Sequence, residues 1–332
     1  MKTRYFVIAS ALVLVVGIGT GMVAYYVGVP QLGVGRTGPA ELRYVPADAA
    51  VVAYADVHTL MGSEIRQRIR QAMPGQENGQ REFKDQTGID IEHDVDRVVA
   101  CLEPTPGGAG EGRGLVLARG RFDTARLESL MRDHGATIDT YKGKQLIIEA
   151  PPVPAGRVNG GETFAVLFIE PGLAAVGSEA LVRRAVDLQG GSGSITTNDE
   201  LMNLLRGVDD GTRTMWAVGR FDALAQGHEL PPQIASQLPA ITWFSVSGRV
   251  DSAVSASIRA DTRDDAAAKN LRDVVQGFIG LARLQASARP EFKAALDSVQ
   301  LGGTGKTVTL SFTVPPSAFD LLPNQASQPR AH

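Results

Sequence analysis

At 332 residues and 35.2 kDa, with 43% hydrophobic and 21% charged residues and a mean hydropathy of −0.03, the chain reads as folded protein, neither disordered nor wholly membrane-embedded. Its length suits about two domains at roughly 150 residues each. A formal net charge of −3 and a pI near 6.0 leave no basic footprint for nucleic acid, and the single Cys101 excludes an internal disulfide or a cysteine-rich zinc site.

The strongest signal is at the amino terminus. Residues 5–29 carry no charge, follow Lys2 and Arg4, and stop at Pro30. As a helix this run is roughly 37 Å long, enough to cross a hydrocarbon core of about 30 Å. A cleaved signal peptide is the rival reading, but its apolar region is usually about 7–15 residues and ends in a small-residue site. The next basic residue is Arg36, so the positive-inside rule puts residues 1–4 in the cytoplasm as a stub, and everything beyond the span outside. Tyr5, Tyr25 and Tyr26 sit where interfacial aromatic belts do. The expectation is a single-pass signal anchor with residues 30–41 as a Gly-rich linker, and the excess of 26 Arg over seven Lys suggests a GC-rich bacterial genome and hence a bacterial cytoplasmic membrane.

The folded part divides at the Gly/Ser stretch 190–194 into halves 42–190 and 195–322, with a polar tail at 323–332. In the first half, strands are predicted at 51–57, 95–102, 114–122, 145–149, 164–169 and 173–176. Helices are predicted at 59–73, with Leu60, Ile65, Ile69 and Met73 inward, at 123–135, and at 178–188 behind a Ser178 cap. In the second half, strands are expected at 212–221, 241–250, 253–260 and 306–314, and helices near 232–237, at 264–288 and at 291–299. Leu271, Val275, Phe278, Ile279 and Ala282 of the long helix fall at helical spacing and predict a core face. Gly120–Arg121–Phe122–Asp123 recurs as Gly219–Arg220–Phe221–Asp222, each closing an apolar strand. The simplest reading is a capping Asp and an inward Phe; the other is a repeated ligand loop. The fold class is therefore α+β: two similar halves, each an antiparallel sheet with helices packed on one face, behind the transmembrane helix.

Four short motifs carry a resemblance. They are Tyr44–Val45–Pro46–Ala47–Asp48–Ala49 before a strand, Thr87–Gly88–Ile89–Asp90 before an acidic turn, Tyr141–Lys142–Gly143 before a strand, and a hairpin ending at Gly177–Ser178. Together they resemble a broad class of uncharacterised bacterial membrane-anchored extracytoplasmic proteins. The resemblance implies an α+β ectodomain and an anchor, and carries no catalytic residues.

The catalytic motifs fail on inspection. Residues 301–307 end in Gly-Lys-Thr, but a phosphate-binding loop needs glycine where Gln300 stands and must run into a helix, whereas this one precedes a strand. Gly33, Gly35 and Gly38 match a dinucleotide fingerprint only in form, with no βαβ unit around them. Asp90, Glu92, Asp94 and Asp96 around His93 alternate like ligands. A calcium loop would need glycine at Val95 and glutamate at Cys101, so a solvated turn or weak cation binding is left. His58, His93, His134, His228 and His332 make no metal-binding pair, and no serine-hydrolase signature occurs. Lys142 and Lys144 mark a charged hairpin tip, or a place for an anion or lipid headgroup. No catalytic, cofactor-binding or metal residue and no cofactor is expected. The leading expectation is a non-enzymatic tethered domain that binds a protein or envelope component. The alternatives are an envelope hydrolase with a site between the halves, and a carrier of a lipid or other hydrophobic ligand.

Overall fold

The computed structural model of the chain describes residues 38–72, 80–81, 83–85, 88–103, 113–133, 135–149, 163–190, 192–221, 241–250, 252–286, 290–316 and 318. The expected membrane span, most of the linker, the helix near 232–237 and the polar tail lie outside them.

The described residues form twelve strands in one antiparallel sheet. In chain order they are β1 (Val51–Ala55), β2 (Val95–Glu103), β3 (Arg113–Gly120), β4 (Thr137–Tyr141), β5 (Lys144–Glu149), β6 (Phe164–Glu170), β7 (Leu173–Ser178), β8 (Met215–Arg220), β9 (Ile241–Val250), β10 (Val254–Thr262), β11 (Gln300–Gly302) and β12 (Thr307–Val314). Across the sheet they run β11-β12-β10-β9-β8-β1-β2-β3-β7-β6-β5-β4. The mixture of antiparallel strands and helices is the expected α+β one, but the two sets of strands are continuous. They join through β1, which pairs with β2 on one edge and β8 on the other.

The helices are α1 (Val57–Gly62), α2 (Glu64–Ala72), α3 (Ile91–Asp94), α4 (Thr124–Asp133), α5 (Glu179–Asp187), α6 (Asp199–Val208), α7 (Asp265–Ala286) and α8 (Pro290–Asp297). The single helix expected over 59–73 is two, because the Ser63 hydroxyl accepts the Arg66 amide and starts a second helix. Asp56 caps the first, accepting from the Thr59 amide at 2.9 Å. Ser178 precedes α5 but its side chain does not cap it.

Side chains alternate between two sheet faces. Face A carries Val52, Val99, Leu117, Leu167, Ala175, Trp216 and Val218, and is covered by Leu181, Val182 and Ala185 of α5, Leu201 and Leu205 of α6, and the 3-10 turn Ala40–Tyr44. Face B carries Ala55, Val98, Met215 and Val254 under Val57 of α1 and Ile65 and Ile69 of α2. At the far end of face B, Ala268 and Leu271 of α7 meet Val308 and Ala260. Helices therefore lie on both faces of the shared sheet, because each face presents apolar rows that need covering. Of the residues predicted for the core side of α7, Leu271 is buried and Val275 partly so, whereas Phe278 is 55% exposed.

The repeated Gly-Arg-Phe-Asp has a backbone cause. A Cβ on Gly120 would lie 2.0 Å from the Asp94 carbonyl oxygen, and one on Gly219 would lie 2.5 Å from that of Ala50. The next residue closes the same contact both times: the Arg121 amide donates to Asp94 and the Arg220 amide to Ala50. Phe122 and Phe221 both pack into apolar clusters, and Asp123 accepts the Arg126 amide ahead of α4. The motif ends a strand against the residue that precedes its neighbour, which gives Gly, Arg and Phe of both copies a structural role; Asp222 lies outside the described residues. Gly120→Ala and Gly219→Ala should each destabilise the protein by about 1–3 kcal/mol in denaturant titrations, because neither backbone carbonyl can withdraw without breaking a ladder.

Candidate functional site

The motifs singled out in the sequence are mostly used up in structure. The loop before β12 presents carbonyls, not amides: Arg272 of α7 donates to the oxygens of Gly305 at 3.0 Å and Thr307 at 2.9 Å. That polarity suits a cation and is the reverse of a phosphate cradle. Asp90 caps α3 through the Glu92 amide and pairs with Lys84 at 2.7 Å and His93 at 3.2 Å. The hydrogen bond from Lys84 holds its carboxyl down at about 2. Glu92 faces Arg66 and Arg70. The described residues contain no group of three or more His, Cys, Asp or Glu placed to hold a metal. Lys142 pairs with Asp187 at 2.6 Å, and Tyr141 bonds the same carboxylate under the Arg183 guanidinium, so this hairpin tip is docked onto α5. Cys101 is buried in face A, and burial pushes its thiol up to about 12.

The cavity of about 170 Å³ beside α2 and α3 is lined by Arg70, Arg81 and Lys84 against Asp90 and Glu92, charges of both signs already facing one another. The most buried ionic feature lies elsewhere. Glu41 in the Ala40–Tyr44 turn is 1% exposed, accepts two bonds from Arg97 at 3.2 and 3.1 Å, and accepts a third from Arg119 at 2.8 Å. Arg119 continues to Glu170 at 2.6 Å, which also accepts from Tyr44 and Arg43. This alternating chain pins the segment entering from the linker across β2, β3 and the β6–β7 turn. At the junction of the two strand sets, the Tyr54 and Trp216 rings stack at 5.6 Å. Burial raises the phenol of Tyr54 and the carboxyl of Asp209 nearby, where the Gly211 amide opposes the rise.

Face A beyond β9 carries a polar array, buried at Ser245 and Ser247 of β9 and part-exposed on β10 and β12. Every residue that β10 and β12 point to this face is polar: Ser255, Ser257, Arg259 and Asp261 on β10, and Thr307, Thr309, Ser311 and Thr313 on β12. Strand β9 adds Ser245, Ser247 and Arg249 in register. Trp243 borders the face beside Asp261. Helix α7, the long helix against these strands, lies on face B. Within the array Thr307 donates to Asp261 at 2.6 Å, and the Arg259 guanidinium binds the same carboxylate. The hydroxyl of Ser245, a residue 1% exposed, has no hydrogen-bond partner among the described residues. Hydroxyls at strand spacing both donate and accept, so the surface can match a partner rich in hydrogen-bonding groups. The alternation of 254–262 and 307–314 shows in the sequence as strands; the pairing that aligns their hydroxyls does not.

No protein-family model and no curated protein matches the chain. Among solved structures it is similar to crystal form I of TP0453, at 10% identity and a TM-score of 0.44, covering 86% of this chain and 98% of that one.

Two outcomes test the buried groups. Burial raises the Glu41 carboxyl, but the Arg97 and Arg119 hydrogen bonds outweigh burial and hold it below its ordinary value of 4.5. A folded value below the unfolded one contributes stability that is complete above about pH 4.5 and is lost as pH falls through the folded value. Glu41→Gln should therefore cost about 3 kcal/mol at pH 7 and progressively less below pH 4, measured by urea unfolding. The Cys101 thiol should resist maleimide at pH 7 in the native protein and react at once in denaturant.

Proposed function

We propose that the chain is a non-enzymatic domain of a bacterial envelope, tethered to the cytoplasmic membrane by residues 5–29 with its amino terminus in the cytoplasm, that binds a protein or envelope component outside. Among the described residues no helix is long and apolar enough to cross a membrane, and residues 5–29 lie outside them. The observation that carries the binding role is the hydroxyl-lined face of β9, β10 and β12. The uncharged run and its flanking charges support the tether, as does the resemblance to anchored extracytoplasmic proteins.

A second reading, carriage of an apolar ligand, is favoured by face B. There one row crosses all twelve strands without a polar residue, from Ile138 through Val116, Ala53 and Val246 to Ile258 and Leu301. Ile258 in it is 37% exposed.

The full chain with a carboxy-terminal tag should stay in the membrane pellet through an alkaline wash, and protease added to spheroplasts should remove the tag. A tagged chain released as a soluble species would overturn the tether. Photo-cross-linking from Ser257 should capture a discrete partner and lose it in an Arg259→Glu variant that melts like wild type. Native mass spectrometry that instead found a co-purified lipid, displaced by Ala53→Phe, would favour the second reading.

A further inference from the structure

The polar array on face A is bonded within itself at its two ends and free at its centre. At one end Asp261 holds Thr307 at 2.6 Å and the Arg259 guanidinium at 3.0 Å; at the other, Ser255 and Thr313 share a hydrogen bond at 3.4 Å. Between them Ser257, Thr309 and Ser311 are part-exposed, and their hydroxyls bond to no other group among the described residues. Ser257 and Ser311 are cross-strand partners, and exposed Gln300 of β11 continues their row. Thr309 lies one row on, beside Gly302, which has no side chain to wall off the sheet edge. That row leads through Arg259 to Ser245, whose hydroxyl is shut away from water and unpaired among the described residues. A buried polar atom without a partner is uncommon in a folded chain and calls for an explanation.

We infer that this face binds a neutral glycan chain. The inference rests on the reading of face A as the binding surface and names the class of ligand that surface takes. Strands β10 and β12 put no apolar side chain on the face, so it lacks the aliphatic and aromatic anchors around which a protein interface is built. Arg259 is matched by Asp261 and the free groups are uncharged, so the centre of the array has no charge to hold an anionic surface. A hydroxyl both donates and accepts, and a free Ser or Thr hydroxyl therefore pairs with a sugar hydroxyl in either sense. Groups on one face recur about every 6.8 Å along a strand and about every 4.8 Å between strands, a grid that an extended run of sugar rings meets at several points. Each bond is weak alone, and repetition along the chain supplies the affinity. Trp243 stands at the border, in register with Asp261 and only partly covered where it packs against the face A cluster. Its indole offers a flat apolar surface to the C–H side of a sugar ring and an N–H to a hydroxyl.

The test is native electrophoresis of the detergent-solubilised full chain through gels that contain a soluble β-glucan, mannan or galactan, together with co-sedimentation on purified bacterial sacculi. At least one of these glycans should retain the chain. Its binding should change the emission of Trp243 over the constant signal of Trp216, which is 1% exposed, and Trp243→Phe should remove that change. Thr309→Val keeps the shape and strand preference of the side chain and deletes only the hydroxyl. It should weaken retention by about five- to tenfold at an unchanged thermal midpoint. Adding Ser257→Ala should abolish retention. Retention by none of the glycans, or retention that survives both substitutions, would overturn the inference. A protein cross-linked from Ser257 with no glycan retained would overturn it too, while leaving face A as the binding surface; absence of either partner would remove both readings.

Discussion

The architecture depends on β1 having both edges occupied. A five-residue strand is too short to hold a sheet together by side-chain packing alone, yet β1 carries the only junction between the two sets of described strands, pairing five residues with β2 and five with β8. It does so with two valines, two alanines and Tyr54, and its preceding carbonyl, that of Ala50, accepts from Arg220 while the Ala50 amide donates to Leu102. Gly219 lets β8 approach that carbonyl, and the Tyr54–Trp216 stack closes face A over the pairing. Remove the fit at Gly219 and two edge strands would face water with unpaired backbone groups, an arrangement that invites aggregation.

The charged chain through Glu41 answers a different need. A buried ion pair is weak evidence of stability, because desolvation offsets much of the attraction. Its geometry is informative about specificity. The turn 40–44 buries Leu42 and Tyr44, two apolar anchors that would fit many hollows, and the bidentate Arg97 contact with the Arg119 bond fixes one landing place for Glu41 between them. The chain therefore enters the domain at a defined point on face A, over β2 and β3.

Much of this was legible in the residues, and the parts that were not have identifiable causes. Strands with period-two alternation or dense β-branching, such as 164–169, 241–250 and 306–314, declare themselves because their faces differ in environment. Strand β4 escapes because Thr137–Tyr141 is polar and lies at the sheet edge, so no burial pattern marks it; only the Lys142–Gly143 turn, both residues at positive φ, hints at a hairpin. Helix α6 follows a Gly/Ser stretch that looks like a boundary, and its Asn198 cap is a single residue in a polar run. The merging of two sheets into one could not be read at all, since strand order across β1 is set by contacts between residues over a hundred positions apart. The same holds for the hydroxyl array, whose members come from three strands. Phe278 misled for a simpler reason: helical periodicity reports an apolar face but not whether this chain supplies what covers it.

The two faces of the sheet diverge in a way that constrains where a ligand can act. Along one register row, face A runs Leu146, Leu167, Ala175, Leu117, Val99, Tyr54, Trp216, then turns polar at Ser247, Ser257 and Ser311. The switch falls where α6, which reaches β8 and β9, ends its cover. On face B the matching row stays apolar through β12, and α7 arrives there to cover its end. A sheet exposed on one side ordinarily alternates apolar-in and polar-out. Here the inward side changes from A to B across β8 and β9: α5 and α6 cover face A before the switch, and α7 covers face B after it. The polar face beyond β9 is thus the side of the sheet away from α7, level with α5 and α6. A partner resting on the hydroxyls of β10 and β12 would abut α6, and Trp243, at the border of the array, would lie at the corner between them.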